Sequence, residues 1–127
     1  MNSRVLLLIG LPLTSALAAP EHPRLAVTEA RPLLVQALQA ADGQAYGVLT
    51  GAMADAISQR FQSSAAILID VLTERRLPQP GCARLKVTFG QDAVRLPGSE
   101  QASRQNLTLG IDYCLDGQPP RGNEASP

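Results

Sequence analysis

The chain has no tryptophan, only two phenylalanines and two tyrosines, and a single histidine. Each shortage closes off a kind of chemistry. Few aromatic rings are on hand to stack against bases, and eleven basic residues are balanced by eleven acidic ones. Both facts argue against direct nucleic-acid binding. The lone histidine, His22, lies near the start of the chain, away from any core position. No Ser–His–acid or Cys–His arrangement can therefore be assembled. Cys82 and Cys114, the two cysteines, make no zinc constellation with it. There is no glycine loop of the phosphate-cradling kind. This inventory points away from an enzyme and calls for no cofactor and no metal.

The first residues, MNSRVLLLIGLPLTSALAAP, have the form of a secretory signal. Arg4 supplies the positive start, Val5 to Leu13 the apolar run, and Ala16-Leu17-Ala18 the small-x-small cleavage pattern. Cleavage is expected after Ala18, so that residues 1–18 are a signal peptide. The apolar run falls short of the roughly 20 residues that span a bilayer, and no such run follows. No cysteine lies directly after it, so a lipoprotein anchor has no support. Arginine outnumbers lysine ten to one, and alanine is abundant, as in GC-rich bacterial genomes. The expected location is the periplasm or outside the cell, with no transmembrane segment once the signal is removed. In that compartment two cysteines most simply form one disulfide, Cys82–Cys114.

That pair frames the organising stretch of the chain. CARLKVTFG and NLTLGIDYC pair as an antiparallel hairpin with the cysteines opposed. Phe89 then meets Leu107, Val87 meets Leu109, Leu85 meets Ile111 and Ala83 meets Tyr113 on one face. Arg84 meets Asp112 and Thr88 meets Thr108 on the other. A one-residue slip would break the apolar face, the ion pair and the disulfide together. Between the two strands, Gln91 to Gln105 reads in two ways. It is one long loop, or Gln91-Asp92 turns tightly and Ala93 to Leu96 returns as a short extra strand.

Ahead of the hairpin, Glu21 to Thr28 reads as a loosely held extended lead-in. Pro32 and the spacing of Leu33, Leu34, Ala37, Leu38 and Ala41 predict a helix over 31–41, stopped by Asp42-Gly43. Tyr46 to Leu49 fits a strand or a bend. Thr50 reads as the N-cap of a second helix over 50–62. Met53, Ile57 and Phe61 form its apolar stripe, read as core. Ala65 to Leu72, apolar on both faces, reads as a central strand interrupted by Asp70, which is expected to pair with Arg75, Arg76 or Arg84 or to lie at an edge. Arg75 to Gly81 reads as a connection. From Gly117 the chain lacks apolar content, and residues 117–127 read as a disordered tail. The expected architecture is α+β: one domain over 19–116, two helices packed on a small antiparallel sheet of three to four strands, with one cross-strand disulfide.

QPGCARL, FGQD and DYCLDGQPP, within 65–121, resemble the C-terminal part of small exported proteins encoded in the transfer regions of integrating conjugative elements. The resemblance implies an accessory or structural interaction protein of a conjugative DNA-transfer apparatus of the type IV secretion kind. Its partners would be proteins of the bacterial envelope. It brings no catalytic residue with it. The alternative reading is a soluble periplasmic binding or inhibitor module that uses the 91–105 loop. A small hydrolase ranks last.

Overall fold

A computed structural model describes residues 9–10 and 22–121. Apart from 9–10, the expected signal peptide lies outside the described residues, as do residues 122–127 of the expected tail. Among the described residues seven elements follow in chain order: β1 (Leu25–Val27), α1 (Arg31–Gln39), β2 (Gln44–Leu49), α2 (Ala52–Arg60), β3 (Ile67–Arg76), β4 (Cys82–Val94) and β5 (Ser103–Cys114). The strands form one sheet in the order β1-β2-β3-β4-β5.

The fold is α+β, but the sheet has five strands and is mixed, where three or four antiparallel strands were expected. The correction comes from the lead-in. Leu25, Ala26 and Val27 pair in parallel with Gly47, Val48 and Leu49. Three residues are too few to show a period, so the strand leaves no pattern of its own. It is held by Arg24, whose guanidinium donates to the Gly47 carbonyl and to Asp70 Oδ1. β2 settles as a strand whose alternate residues Ala45, Gly47 and Leu49 face the core. β3 runs on through Arg76, beyond the expected Leu72, because Arg75 and Arg76 pair with Arg84 and Ala83 past an irregularity at Thr73–Arg75.

α1 starts at Arg31 with proline in its first turn, and it buries Leu33, Leu34, Ala37 and Leu38. It packs across β2, β3, β4 and β5. No basic residue lies in its own last turn. Arg76 reaches over from β3 and donates to the Leu38 carbonyl at 3.3 Å, placing positive charge at the negative end of the helix. The chain leaves α1 through Gly43 at φ +70, where Asp42 Oδ1 accepts from the Gln44 amide.

α2 is shorter than expected and is not capped by Thr50. That hydroxyl donates instead to the Val27 carbonyl, and Gly51 at φ +89 occupies the cap position. Parallel pairing with β1 thus claims the residue that a free helix start would have used.

Every pairing expected between β4 and β5 is present, from Cys82↔Cys114 through Phe89↔Leu107. Arg84 meets Asp112 at 3.1 Å, and the Thr88 and Thr108 hydroxyls lie 3.1 Å apart. Cys82 and Cys114 are bonded, with 4.0 Å between their Cα atoms. The Leu115 amide donates to the Gly81 carbonyl just beyond them, which makes the cysteines a non-hydrogen-bonded pair, the closer of the two antiparallel spacings. The chain after the disulfide turns back on it. Cys114 N–H donates to the Gln118 carbonyl, Arg121 N–H donates to Gln79 Oε1, and Pro120 is buried.

The 91–105 segment is mostly neither loop nor extra strand. It lengthens the two strands already there. Gln91 pairs with Gln105 and, past a bulge at Asp92–Ala93, Val94 pairs with Ser103. Ala93 takes φ +55 to make that bulge. Ser63 Oγ donates to the Asp92 carbonyl at 2.6 Å, which holds the bulge from outside. Only residues 95–102 remain as the connecting loop.

Candidate functional site

Asp70, the acid within an apolar strand, has none of the expected partners. Arg24 binds it at 2.8 Å. The same guanidinium lies 5.7 Å from the centre of the Tyr46 ring, on which His22 stacks at 4.1 Å. These contacts are on the outer face of the sheet and tie the lead-in down. Among the described residues no group of three or more His, Cys, Asp and Glu could hold a metal. Arg84–Asp112 is a cross-strand pair, and Cys82–Cys114 is a structural bond with both residues buried.

Chemistry of another kind collects on the opposite face. α1 leaves one end of the core face uncovered. There Ile67, Phe89 and Leu107 from three neighbouring strands form the floor of a groove of about 610 Å³. Met53 and Ile57 of α2, with Phe61 at its C-terminal cap, make one wall, and Val94 and Leu96, at the end of β4 and the start of the loop, close the far side. The Phe61 carbonyl accepts from the Arg95 amide at 2.9 Å, so the wall and the loop are fastened together. A volume of this size lies in the range of about 300–1,000 Å³ usual for small-ligand sites.

The Met53–Ile57–Phe61 stripe was expected to be core. Ile57 does pack against the core, but all three side chains line the groove wall: Met53 is 60% exposed, and Ala54 is the only buried residue of α2. Helical spacing shows that the three side chains share a face but not what covers that face. Leu107 at 62% and Leu96 at 42% are open in the same way.

The polar groups around the groove are few. Gln91 is buried, and its amide donates to Ser58 Oγ and to the Ala65 carbonyl, so it serves the link between α2 and the sheet. Gln105 and Asn106 lie at the β5 side, and Glu29 is the single charged residue of the lining. The site therefore offers apolar contact and one negative charge. Among the described residues, none that lines it is a titratable nucleophile or general base apart from that carboxylate.

No protein-family model matches this chain, and neither curated proteins nor solved structures yield a match. Among the described residues, no helix is long and apolar enough to cross a membrane. The disulfide is compatible with an exported protein.

Proposed function

We propose that this chain is an exported interaction protein, an accessory component of a bacterial conjugative DNA-transfer apparatus. It grips an envelope partner through the groove between α2 and the sheet. One observation carries the interaction: Met53, Leu96 and Leu107, all exposed, converge on a single apolar site. Contiguous apolar surface of this kind marks contact sites in folded proteins. With Glu29 as its only charge, the groove suits a protein segment that presents apolar side chains beside a basic residue. Membership of the transfer apparatus is supported by the resemblance of the cysteine and turn motifs QPGCARL and DYCLDGQPP.

Crosslinking in cells that carry such an element, followed by co-purification of the exported chain, tests the proposal. The expected result is recovery in a large envelope complex, lost in a Met53→Glu, Leu96→Glu variant that folds normally. Recovery unchanged by those substitutions overturns the groove as the contact.

A second reading is a free periplasmic binding or inhibitor module. Its support is that the 95–102 loop contributes Leu96 to the groove. Capture of one soluble target in place of a large complex decides for it.

A further inference from the structure

Among the described residues β5 is the outer strand of the sheet, pairing only with β4. It is twelve residues long, and residues 103–104 and 106–110 are exposed. Sheet edges of this length are normally blunted by proline, lysine or a bulge. β5 contains no proline and no lysine, its two charged residues, Arg104 and Asp112, are each paired with β4, and the bulge of this hairpin is in β4.

The backbone shows which groups point outward. Cys82↔Cys114 is a non-hydrogen-bonded pair, so in β5 the odd-numbered residues from Gln105 to Tyr113 turn their N–H and C=O groups toward β4. The even-numbered ones turn theirs to the open edge. At one end the 95–102 loop begins beyond Ser103. At the other, the outward Cys114 N–H is already taken by the Gln118 carbonyl. Midway between these ends lies Thr108.

We propose that two copies of this chain pair antiparallel through β5, with a two-fold axis at Thr108, to make one continuous ten-stranded sheet. An antiparallel pairing of a strand with itself is self-complementary, as a two-fold dimer requires. With the axis at Thr108, each residue and its opposite number sum to twice that position. Thr108 faces Thr108, Asn106 faces Gly110, and Arg104 faces Asp112 of the second copy. All are outward-turned residues, so the ladder closes with hydrogen bonds. On the core side, the exposed Leu107 meets Leu109 of the second copy, itself 40% exposed.

Charge selects this register over its neighbours. Arg104 already binds Asp92 at 3.1 Å, and Arg84 binds Asp112 at 3.1 Å. Pairing at Thr108 lines these up as Asp92, Arg104, then Asp112 and Arg84 of the second copy, alternating in sign across the seam on both sides of the axis. Moving the axis by one residue puts Arg104 opposite Gly110 or Cys114 and loses the row. The inference stands whatever fills the groove.

Sedimentation of the full exported chain tests it. The expected mass is twice that of the chain, reverting to a single chain in Thr108→Pro. That substitution removes an N–H from the open edge and none from the ladder with β4. Register is read separately, without relying on the proline variant. A mixture of Leu107→Cys and Leu109→Cys chains should crosslink on oxidation as a mixed disulfide, in clear excess over either variant linked to itself. A wild-type chain that sediments as a monomer overturns the proposal. So does a dimer in which the mixed disulfide is not favoured.

Discussion

Gly47 lies directly beneath Leu33. A methyl group built on Gly47 would stand 2.5 Å from Leu33 Cδ1 and 3.0 Å from the Leu25 carbonyl oxygen. Leu33 is fully buried, so it has little room to withdraw. The helix approaches the sheet at this point only because the strand carries no side chain. Gly47→Ala is expected to lower stability by about 1–3 kcal/mol, the usual cost of overpacking a core. Urea unfolding measures it. Combined with Leu33→Ala, itself expected to cost about 2–5 kcal/mol, the loss should be less than the sum, since the second change vacates the space that the first invades.

The disulfide closes a separation of 32 residues. In the loop-entropy description such a bond contributes on the order of 3–4 kcal/mol. Cys82→Ala with Cys114→Ala should lower the urea midpoint accordingly. Alanine is the appropriate replacement because both cysteines are buried, and a serine hydroxyl would add an unpaired polar group.

Arg24 and Asp70 should respond unequally. The carboxylate is 41% exposed, and an ion pair in that setting is worth about 0–1 kcal/mol, so Asp70→Asn is expected to cost little. The guanidinium, 18% exposed, also donates to the Gly47 carbonyl. Arg24→Ala should therefore cost more than Asp70→Asn, by about 1.5–3 kcal/mol for the further hydrogen bond to a charged donor. Amide hydrogen exchange should quicken first in β1, the strand that Arg24 holds.

The β4 bulge offers a test of opposite signs. Ser63 Oγ donates to the Asp92 carbonyl and accepts from the Ala65 amide, and Ser63 is buried. Ser63→Ala should cost about 1–3 kcal/mol by leaving both groups unpaired. Ala93→Gly should instead stabilise by about 0.5–1 kcal/mol. At φ +55 alanine is strained, and the relief exceeds the entropy that glycine adds to the unfolded chain. Thermal unfolding of the two variants should show shifts in opposite directions.

Groove residues should separate binding from folding. Met53→Glu and Leu96→Glu alter exposed side chains and should change stability by no more than about 0.5 kcal/mol. A fluorescent apolar dye, bound by the parent chain, should bind the double variant more weakly.

Local spacing made part of this structure legible. The β4–β5 register could be read because four apolar pairs, one ion pair and two cysteines all demand the same alignment. α1 was legible from Leu33, Leu34, Ala37 and Leu38. Positions set by distant partners were not. Leu25–Val27 is a strand only because Gly47–Leu49 stands beside it, and Thr50 gives up its cap for Val27. Met53, Ile57 and Phe61 look the same in sequence whether a sheet covers them or not. Coverage was decided elsewhere, when α1 spread over four strands and left one end of the core face bare. The groove therefore had no signature of its own.

The bond between Cys82 and Cys114 ties β4 to β5 at one end, and residues 95–102 join them at the other. Together they make the hairpin a covalent ring. A protease that cuts after Arg95, at the rim of the groove, opens the ring without dividing the molecule. The nicked protein stays one covalent piece until it meets a reductant, so a clipped loop can change its shape against a partner while the sheet beneath keeps its hold.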